Sequence, residues 1–312
     1  MTRQLSVAAV TLPAVLLSGP VLFSQHRSFS STTLGVRVDV LVTDGRNTVG
    51  GLTTRDFELR DNGVRQTIDD LQIGEVPFSM MLALDASGSM VGSPLSHLQD
   101  GARAALEALH ADDRASLMAF SEMITPATPW TSERQALISA IERLKANGST
   151  SLFDAALSAI VQRDPDPGRR NLLIIFSDGR DTASWLPDYA ALDLATRADI
   201  VVYGVTLETG APRLSPRLQL RSGIRLAPDQ TISSSTDFLS ELAERTGGAW
   251  VTSSLGGLRR TFAKIVNDFR SRYILTYTPR NVSAPGWHRI EVTLTNRRGE
   301  ITARRGYERG AP

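Results

Sequence analysis

Buried strands that alternate with helical segments dominate the middle of this sequence. Two continuous apolar runs, at residues 78–87 and 171–178, are typical of strands buried on both faces of a parallel sheet. Between such runs, apolar residues recur three and four positions apart, as at Leu137, Ile141 and Leu144. Because strands and helices alternate, the sequence predicts an α/β fold. We expect a doubly wound, mostly parallel sheet with helices on both faces.

Helix boundaries in this region follow from capping signals and from the spacing of apolar residues. Ser132 and Gln135 match a capping box, which predicts that a helix begins there. Other helices are predicted over about 94–109, from about Ser151, after Pro187 and over about 255–272. The apolar face of the helix near Ser151 is predicted to contain Phe153, Leu157, Ile160 and Val161.

The segment before this region has the pattern of antiparallel β structure. Valines alternate with other residues from Val36 to Val42, which predicts a half-buried strand. Asn62-Gly63 is a strong hairpin signal, because both residues tolerate positive φ. Residues 34–73 therefore read as a small β segment.

The segment after this region returns to the same pattern, since apolar residues alternate at Ile290, Val292 and Leu294. Isolated hairpins are marginally stable in water. We therefore predict that residues 273–308 pair with residues 34–73 into one small β-sandwich-like domain. The α/β domain, at residues 77–272, would be inserted between its halves. In the alternative arrangement, each flank packs separately onto the α/β domain.

The first 24 residues have the composition of an export signal. Arg3 provides a positive start, and an uncharged, mostly apolar run follows it. A secretory signal peptide is the first interpretation, and a single N-terminal membrane anchor is the alternative. We therefore expect an exported protein of the periplasm, the cell surface or the medium.

Composition excludes several classes of function. The chain has 312 residues and a formal net charge of +1, so no general electrostatic attraction to nucleic acid is expected. Cysteine is absent, which excludes disulfides, thiolate catalysis and iron–sulfur clusters. The four histidines lack metal-ligand spacing and are predicted to be surface or filling residues: His26, His97, His110 and His288.

Three separated segments place oxygen ligands after predicted strands or in a loop before a helix. Asp85, Ser87 and Ser89 follow the first buried strand, Thr150 lies in a Gly/Ser loop, and Asp178 follows another buried strand. Open α/β sheets bind ligands at the carboxyl ends of their strands. We therefore expect the three segments to meet there.

The D-x-S-x-S spacing suits a cation site, because alternate residues of a tight loop can direct their side chains at one point. Ligands that are all oxygen favour hard cations such as Mg²⁺, with Mn²⁺ or Ca²⁺ as alternatives. Most of the expected ligands are neutral hydroxyls. A bound ion would therefore stay electrophilic and attract a carboxylate from outside.

The motifs "DASGSM", "GSTSLFDA" and "FSDGRD", in this order, resemble the von Willebrand factor type A domain and its metal-ion-dependent adhesion site. The resemblance covers about residues 77–272 and implies a non-enzymatic binding module. It also implies that an Asp or Glu of a partner protein completes the metal coordination. The metal ligands that it implies are Asp85, Ser87, Ser89, Thr150 and Asp178.

The flanking segments extend the resemblance. Residues 51–68 and the strands after residue 272 are similar to the VWFA-related family of exported acidobacterial proteins. This similarity includes nearly the whole chain after the predicted signal. It implies an exported bacterial protein, of a family whose members mostly have no assigned partner.

Two other functions remain open. The first is a scaffold that the metal only stabilises. The second is a hydrolase that uses Ser87 or Ser89 with Asp178, although the sequence has neither a G-x-S-x-G elbow nor a Walker A loop.

Several neighbouring residues receive structural interpretations. Asp154 and Asp181 are predicted to serve in helix capping and in a solvated turn. Arg304 and Arg305 are predicted to lie on a solvated strand edge. We expect the loop at residues 209–236 to contribute to specificity.

Overall fold

The computed structural model of the protein describes residues 35–45, 47–74, 76–178, 180–208, 235–282 and 285–309. The strands are β1 (Val36–Asp44), β2 (Asn47–Thr48), β3 (Phe57–Asp61), β4 (Val64–Gln66), β5 (Asp70–Ile73), β6 (Phe78–Asp85), β7 (Arg114–Phe120), β8 (Arg170–Phe176), β9 (Val201–Leu207), β10 (Ala249–Ser253), β11 (Tyr273–Tyr277), β12 (Gly286–Leu294), β13 (Glu300–Ala303) and β14 (Gly306–Arg309). The helices are α1 (Ser93–Glu107), α2 (Arg134–Glu142), α3 (Leu152–Val161), α4 (Asp188–Arg197), α5 (Ser235–Thr246) and α6 (Leu258–Arg270).

The central sheet has the strand order β10-β9-β8-β6-β7, and all its pairings are parallel. Every residue of β6 and β8 is buried, as their continuous apolar runs predict. Helices α1, α2 and α6 cover one face of the sheet, and α3, α4 and α5 cover the other. The doubly wound α/β prediction is confirmed.

Two details of the helices differ from the sequence prediction. Helix α2 begins at Arg134, and the Ser132 hydroxyl donates to the carbonyl of Asp113, so the predicted capping box is wrong. The buried face of α3 consists mainly of small residues, and Val161 is 59 % exposed. The alanines allow α3 to pack close to the sheet. The residues of α3 that are buried are Leu152, Ala155, Ala156, Ala159 and Ile160.

The two flanks build two antiparallel sheets from interleaved strands. One sheet has the order β13-β1-β11-β5, with β2 paired to β1, and the other has the order β14-β12-β3-β4. β1 therefore lies between two strands of the C-terminal flank, and β3 pairs with β12. Val38, Phe57 and Ile290 belong to one shared core, against which Val292 and Leu294 pack. The predicted fold class, an α/β sheet plus a small antiparallel β domain built from both flanks, is therefore confirmed.

The turn between β3 and β4 has the predicted geometry. Asn62 and Gly63 have φ values of 47° and 80°, the left-handed region in which a two-residue hairpin turn matches the strand twist. The hairpin prediction is confirmed.

β1 is buried on both faces, so the prediction of a half-buried strand is wrong. Its second face lies against the α/β domain, where Arg170 donates to Asp39 Oδ1 over 2.8 Å. Arg170 is 1 % exposed and Asp39 is 8 % exposed. The Arg170 guanidinium also lies 4.3 Å from the ring centre of Phe269 and donates to its carbonyl. Burial lowers the pKa of Arg170, and the charge of Asp39 opposes this shift.

A second arginine joins the same two parts of the protein. Arg304 donates to Asp199 Oδ1 and to the carbonyl of Arg37, and Arg37 donates to Asp199 Oδ2 over 2.6 Å. The side chain of Arg304 is only 17 % exposed, so its predicted place on a solvated edge is wrong. Arg305 is exposed and pairs with Glu244.

His288 also departs from its predicted role, because it is 1 % exposed and engaged in hydrogen bonds. Its Nδ1 lies 2.7 Å from Asp61 Oδ1, and Asp61 Oδ2 accepts from the hydroxyls of Tyr277 and Tyr307. Burial and the contact with Asp61 raise the pKa of Tyr277.

Residues 1–34, with the predicted export signal, lie outside the described residues. Within the described ranges, no helix combines the length and the apolar character that a membrane span requires.

We predict that Asp39→Ala lowers the free energy of unfolding by about 3–5 kcal/mol, because it leaves the charge of Arg170 buried without its partner. Asp193→Ala is the matched control, since Asp193 pairs with Arg197 on the surface and should cost less than about 1 kcal/mol. Urea denaturation measures both values. Equal, small effects would contradict the importance of the buried pair.

Candidate metal centre

Asp85 ends β6 and is fully buried, with an exposed fraction of 0 %. Its Oδ1 accepts the N–H of Ser87 over 2.9 Å, and its Oδ2 accepts the hydroxyl of Ser177 over 2.7 Å. β6 and β8 are paired and parallel, with Leu84 opposite Phe176. The residues that follow the two strands therefore meet at the carboxyl edge, as the sequence predicts.

Polar contacts continue from the carboxylate of Asp85 through Ser87 and Ser89 to Asp178, the candidate ligand after β8. The Ser87 and Ser89 hydroxyl oxygens lie 3.1 Å apart, and the Ser89 hydroxyl donates to Asp178 Oδ1 over 2.9 Å. Ser87 is 2 % exposed, whereas Ser89 is exposed and Asp178 is half-buried. Four of the five predicted ligands thus form one group that opens toward solvent.

Thr150 is brought to the same edge by the backbone of its loop. The N–H of Gly88 donates to the carbonyl of Gly148 over 2.9 Å. Gly148 has a φ of +73°, which favours glycine, and a Cβ there would lie 3.0 Å from the Glu122 carboxyl carbon. The Thr150 N–H donates to Thr182 Oγ1, and Thr150 is 6 % exposed. The loop is therefore fixed against both of the other segments.

Two carboxylates, Asp85 and Asp178, lie at this edge without an ion-pair partner among the described residues. Burial raises the pKa of Asp85, the hydrogen bonds from Ser87 and Ser177 oppose that shift, and the nearby charge of Asp178 adds to it. Within the described residues, neither Asp85 nor Asp178 forms an ion pair with Arg, Lys or His.

The donor set fits a hard divalent cation, because it combines two carboxylates with serine hydroxyls and offers no nitrogen or sulfur ligand. Across the described part of the chain, no group of three or more His, Asp or Glu side chains has metal-site geometry. A cation held here would therefore depend on the hydroxyls.

Ser177 is a site residue that sequence reasoning missed. It precedes Asp178 in the motif "FSDGRD", and its hydroxyl joins the end of β8 to Asp85. The sequence did offer a signal for Ser177, because it is a small polar residue directly between a buried strand and a candidate ligand.

Asp154 and Asp181 hold the surrounding loops. Asp181 Oδ1 accepts the N–H of Leu152, so Asp181 caps α3 from a distant loop. Asp154 Oδ2 and Oδ1 accept the N–H groups of Trp185 and Leu186. These contacts fix the loop after β8 on the first turn of α3.

The rings of His97 and His288 hydrogen-bond to groups other than Ser87 and Ser89. His97 Nδ1 lies 2.8 Å from the carbonyl of Ser93, and His288 lies against Asp61. The Ser87 and Ser89 hydroxyls lie within hydrogen-bond distance of each other, the Ser89 hydroxyl donates to Asp178, and Ser87 also hydrogen-bonds to Asp85. Among the described residues, no hydrogen bond joins either serine hydroxyl to a histidine ring, the contact through which a histidine base activates a serine nucleophile.

We predict that the stability of metal-free Asp85→Asn rises relative to that of the wild type as the pH increases from about 4 to about 8. The raised pKa of Asp85 means that its ionisation costs stability as the pH rises above about 4, the ordinary pKa of an aspartate. The asparagine stays neutral, so its advantage should grow from pH 4 to pH 8. Thermal unfolding in EDTA across this range measures it. Parallel curves for the two proteins would contradict the interpretation, and Asp193→Asn serves as the surface control.

Comparison with known proteins places the motifs in a family. Residues 80–180 match the family model described as the von Willebrand factor type A domain. A curated, uncharacterized protein of Synechocystis sp. is 34 % identical over 120 residues. These residues are 38 % of this chain, and the match spans only 28 % of the length of that relative.

Solved structures of low sequence identity are also similar. A von Willebrand factor type A protein from Catenulispora acidiphila has 11 % identity and a TM-score of 0.49, over 86 % of this chain and 75 % of that one. An aerotolerance-related membrane protein from Bacteroides fragilis has 16 % identity and a TM-score of 0.46, over 61 % and 98 %. The family match, together with the motifs and the parallel sheet, shows that the chain contains a von Willebrand factor type A domain.

Proposed function

We propose that the protein is an exported binding protein whose candidate metal centre holds one divalent cation, Mg²⁺ first among them. An Asp or Glu of a partner protein completes the coordination of that cation. The ligands are Asp85, Ser87, Ser89, Thr150 and Asp178, acting directly or through water.

The observation that carries this proposal is the hydrogen-bonded group of Asp85, Ser87, Ser89 and Asp178. Of the two carboxylates at this edge, one is buried, and neither forms an ion pair within the part of the chain that the structure describes. Such a pair favours a positive ion between them. Water-exposed Ser89 leaves the group accessible from outside.

The neutral hydroxyls explain why a partner is required. Two carboxylates balance the charge of a divalent ion only when both coordinate it directly. An ion bound mainly by hydroxyls and water remains a strong electrophile, and an external carboxylate is its natural further ligand. The protein alone should therefore bind the ion weakly.

The binding role is favoured over catalysis by the contacts of the serines, since their hydroxyls interact with each other and with a carboxylate. The predicted export signal and residues 209–234 of the predicted loop lie outside the described residues, and the last two residues of that loop begin α5. Export and a role of that loop in specificity therefore belong to the proposal.

We predict that Ser89→Ala weakens Mg²⁺ binding by at least about tenfold, because a site ligand is lost. Ser96→Ala is the matched control, since Ser96 is an exposed serine of α1. Isothermal calorimetry with Mg²⁺, Mn²⁺ and Ca²⁺ measures the affinities. Wild-type protein that binds none of these ions would exclude the proposed centre.

Metal binding to the folded state alone should also raise stability, by about 2.7 kcal/mol at a hundredfold excess over Kd. If the ion raises the melting temperature but never promotes binding of an acidic peptide, the scaffold function replaces the binding function.

We predict that Thr150→Ala weakens partner binding more than it weakens folding. Thr150 lies in a loop held by its backbone, so removing its hydroxyl leaves those hydrogen bonds in place. The measurements are thermal unfolding and metal-dependent binding of a ten-residue peptide with one central Asp. A variant that melts much lower but binds the peptide normally would show that Thr150 is a structural residue only.

A further inference from the structure

We propose that an apolar rim beside the metal centre selects partner segments in which the acidic residue is flanked by apolar side chains. This inference rests on the proposed function and names the chemistry of its partner. The apolar rim consists of Val91, Met123, Trp185, Leu186 and Tyr189.

The exposure of these residues is concentrated at one edge of the sheet. Eight large apolar side chains are exposed among the described residues, and five of them belong to the rim. Four of these five lie in loops after the carboxyl ends of β6, β7 and β8, and Tyr189 lies in the first turn of α4. Trp185 is 92 % exposed, Met123 73 % and Tyr189 69 %. Exposed apolar residues that cluster, rather than scatter singly, mark interaction surfaces.

The backbone that carries Trp185 is fixed although its side chain is in water. The N–H of Trp185 donates to Asp154 Oδ2 over 2.8 Å, and the N–H of Leu186 donates to Asp154 Oδ1 over 3.0 Å. The preceding Ser184 hydroxyl donates to Asp181 and accepts the N–H of Phe153. A loop held this firmly presents the indole to solvent at little further loss of conformational freedom on binding.

The same loop is continuous with the metal centre. It follows Asp178, which accepts from Ser89, and its residues Thr182 and Ala183 donate to the carbonyl of Thr150. On the opposite side, Met123 belongs to the loop whose Ser121 carbonyl accepts the N–H of Ser151. A segment whose carboxylate reaches the ion therefore brings its neighbouring side chains to the rim.

These observations identify the occupant as a peptide segment of a partner with two properties. An Asp or Glu supplies the oxygen ligand that the hydroxyl-rich centre lacks. Apolar residues beside it cover Trp185 and Leu186, because an exposed tryptophan gains most when it is buried at an interface.

Two ten-residue peptides test the proposal, one with leucine on both sides of a central Asp and one with serine in those positions. In Mg²⁺, the wild type should bind the leucine peptide at least about tenfold more tightly. Trp185→Ala should remove most of this preference, and Trp185→Phe should keep part of it. Neither variant should change Mg²⁺ affinity or thermal stability. Val161→Ala, at the far end of α3, is the control that should preserve the preference.

The fluorescence of Trp185 gives an independent readout. Bound leucine peptide should protect it from acrylamide quenching in Mg²⁺ but not in EDTA, with the Trp185→Phe protein as the reference.

Equal binding of the two peptides, or an unchanged preference in Trp185→Ala, would overturn the rim proposal. If the protein still binds Mg²⁺ in that case, the proposed metal centre stands. Binding of neither peptide to the Mg²⁺-loaded protein overturns it as well. Self-association that Trp185→Ala abolishes would assign the rim to a second copy of the chain instead. Absence of Mg²⁺ binding would reject the proposed function itself.

Discussion

The candidate metal centre depends on the hydrogen bonds that the buried carboxylate of Asp85 accepts. This carboxylate joins the loop after β6 to the loop after β8 through Ser87 and Ser177, and it does so where two parallel strands end side by side. Burial raises its pKa, so the negative charge is costly unless a positive charge is near. The same residue therefore shapes the loops and favours a cation.

The fold around this edge is explained by simple constraints. β6 and β8 are covered on both faces, so their apolar runs indicate a central position in a parallel sheet. The two flanks interleave in two antiparallel sheets because neither flank has enough strands to cover its own apolar face. The buried pair Asp39 and Arg170 then joins these sheets to the α/β domain.

The sequence predicts the parts of the structure that depend on local pattern. The buried strands, the Asn62-Gly63 turn and the alternation of strands and helices belong to this group. The candidate ligands also met at one edge, because their order along the chain and the topology of a doubly wound sheet require it. Four of them form a single hydrogen-bonded group.

Long-range contacts account for what the sequence pattern could not predict. Asp39 reads as an outward residue of an alternating strand, and its partner is 131 positions away. His288 is buried against Asp61 and Arg304 is largely shielded against Asp199, and no local spacing indicates either contact. In α3 the predicted face is confirmed at Ile160, which is buried, and Phe153 and Leu157 pack partly buried against the core, whereas Val161 is exposed and alanines make up most of the buried face. None of these differences involves the five candidate ligands.

The central claim is that one divalent cation is held by the residues around Asp85. The most direct measurement is anomalous diffraction from crystals grown with Mn²⁺, for the wild type and for Asp85→Asn. The account predicts one anomalous peak within bonding distance of the Ser87 and Ser89 hydroxyl oxygens in the wild type, and none in the variant. A peak elsewhere, or no peak in the wild type, would contradict it.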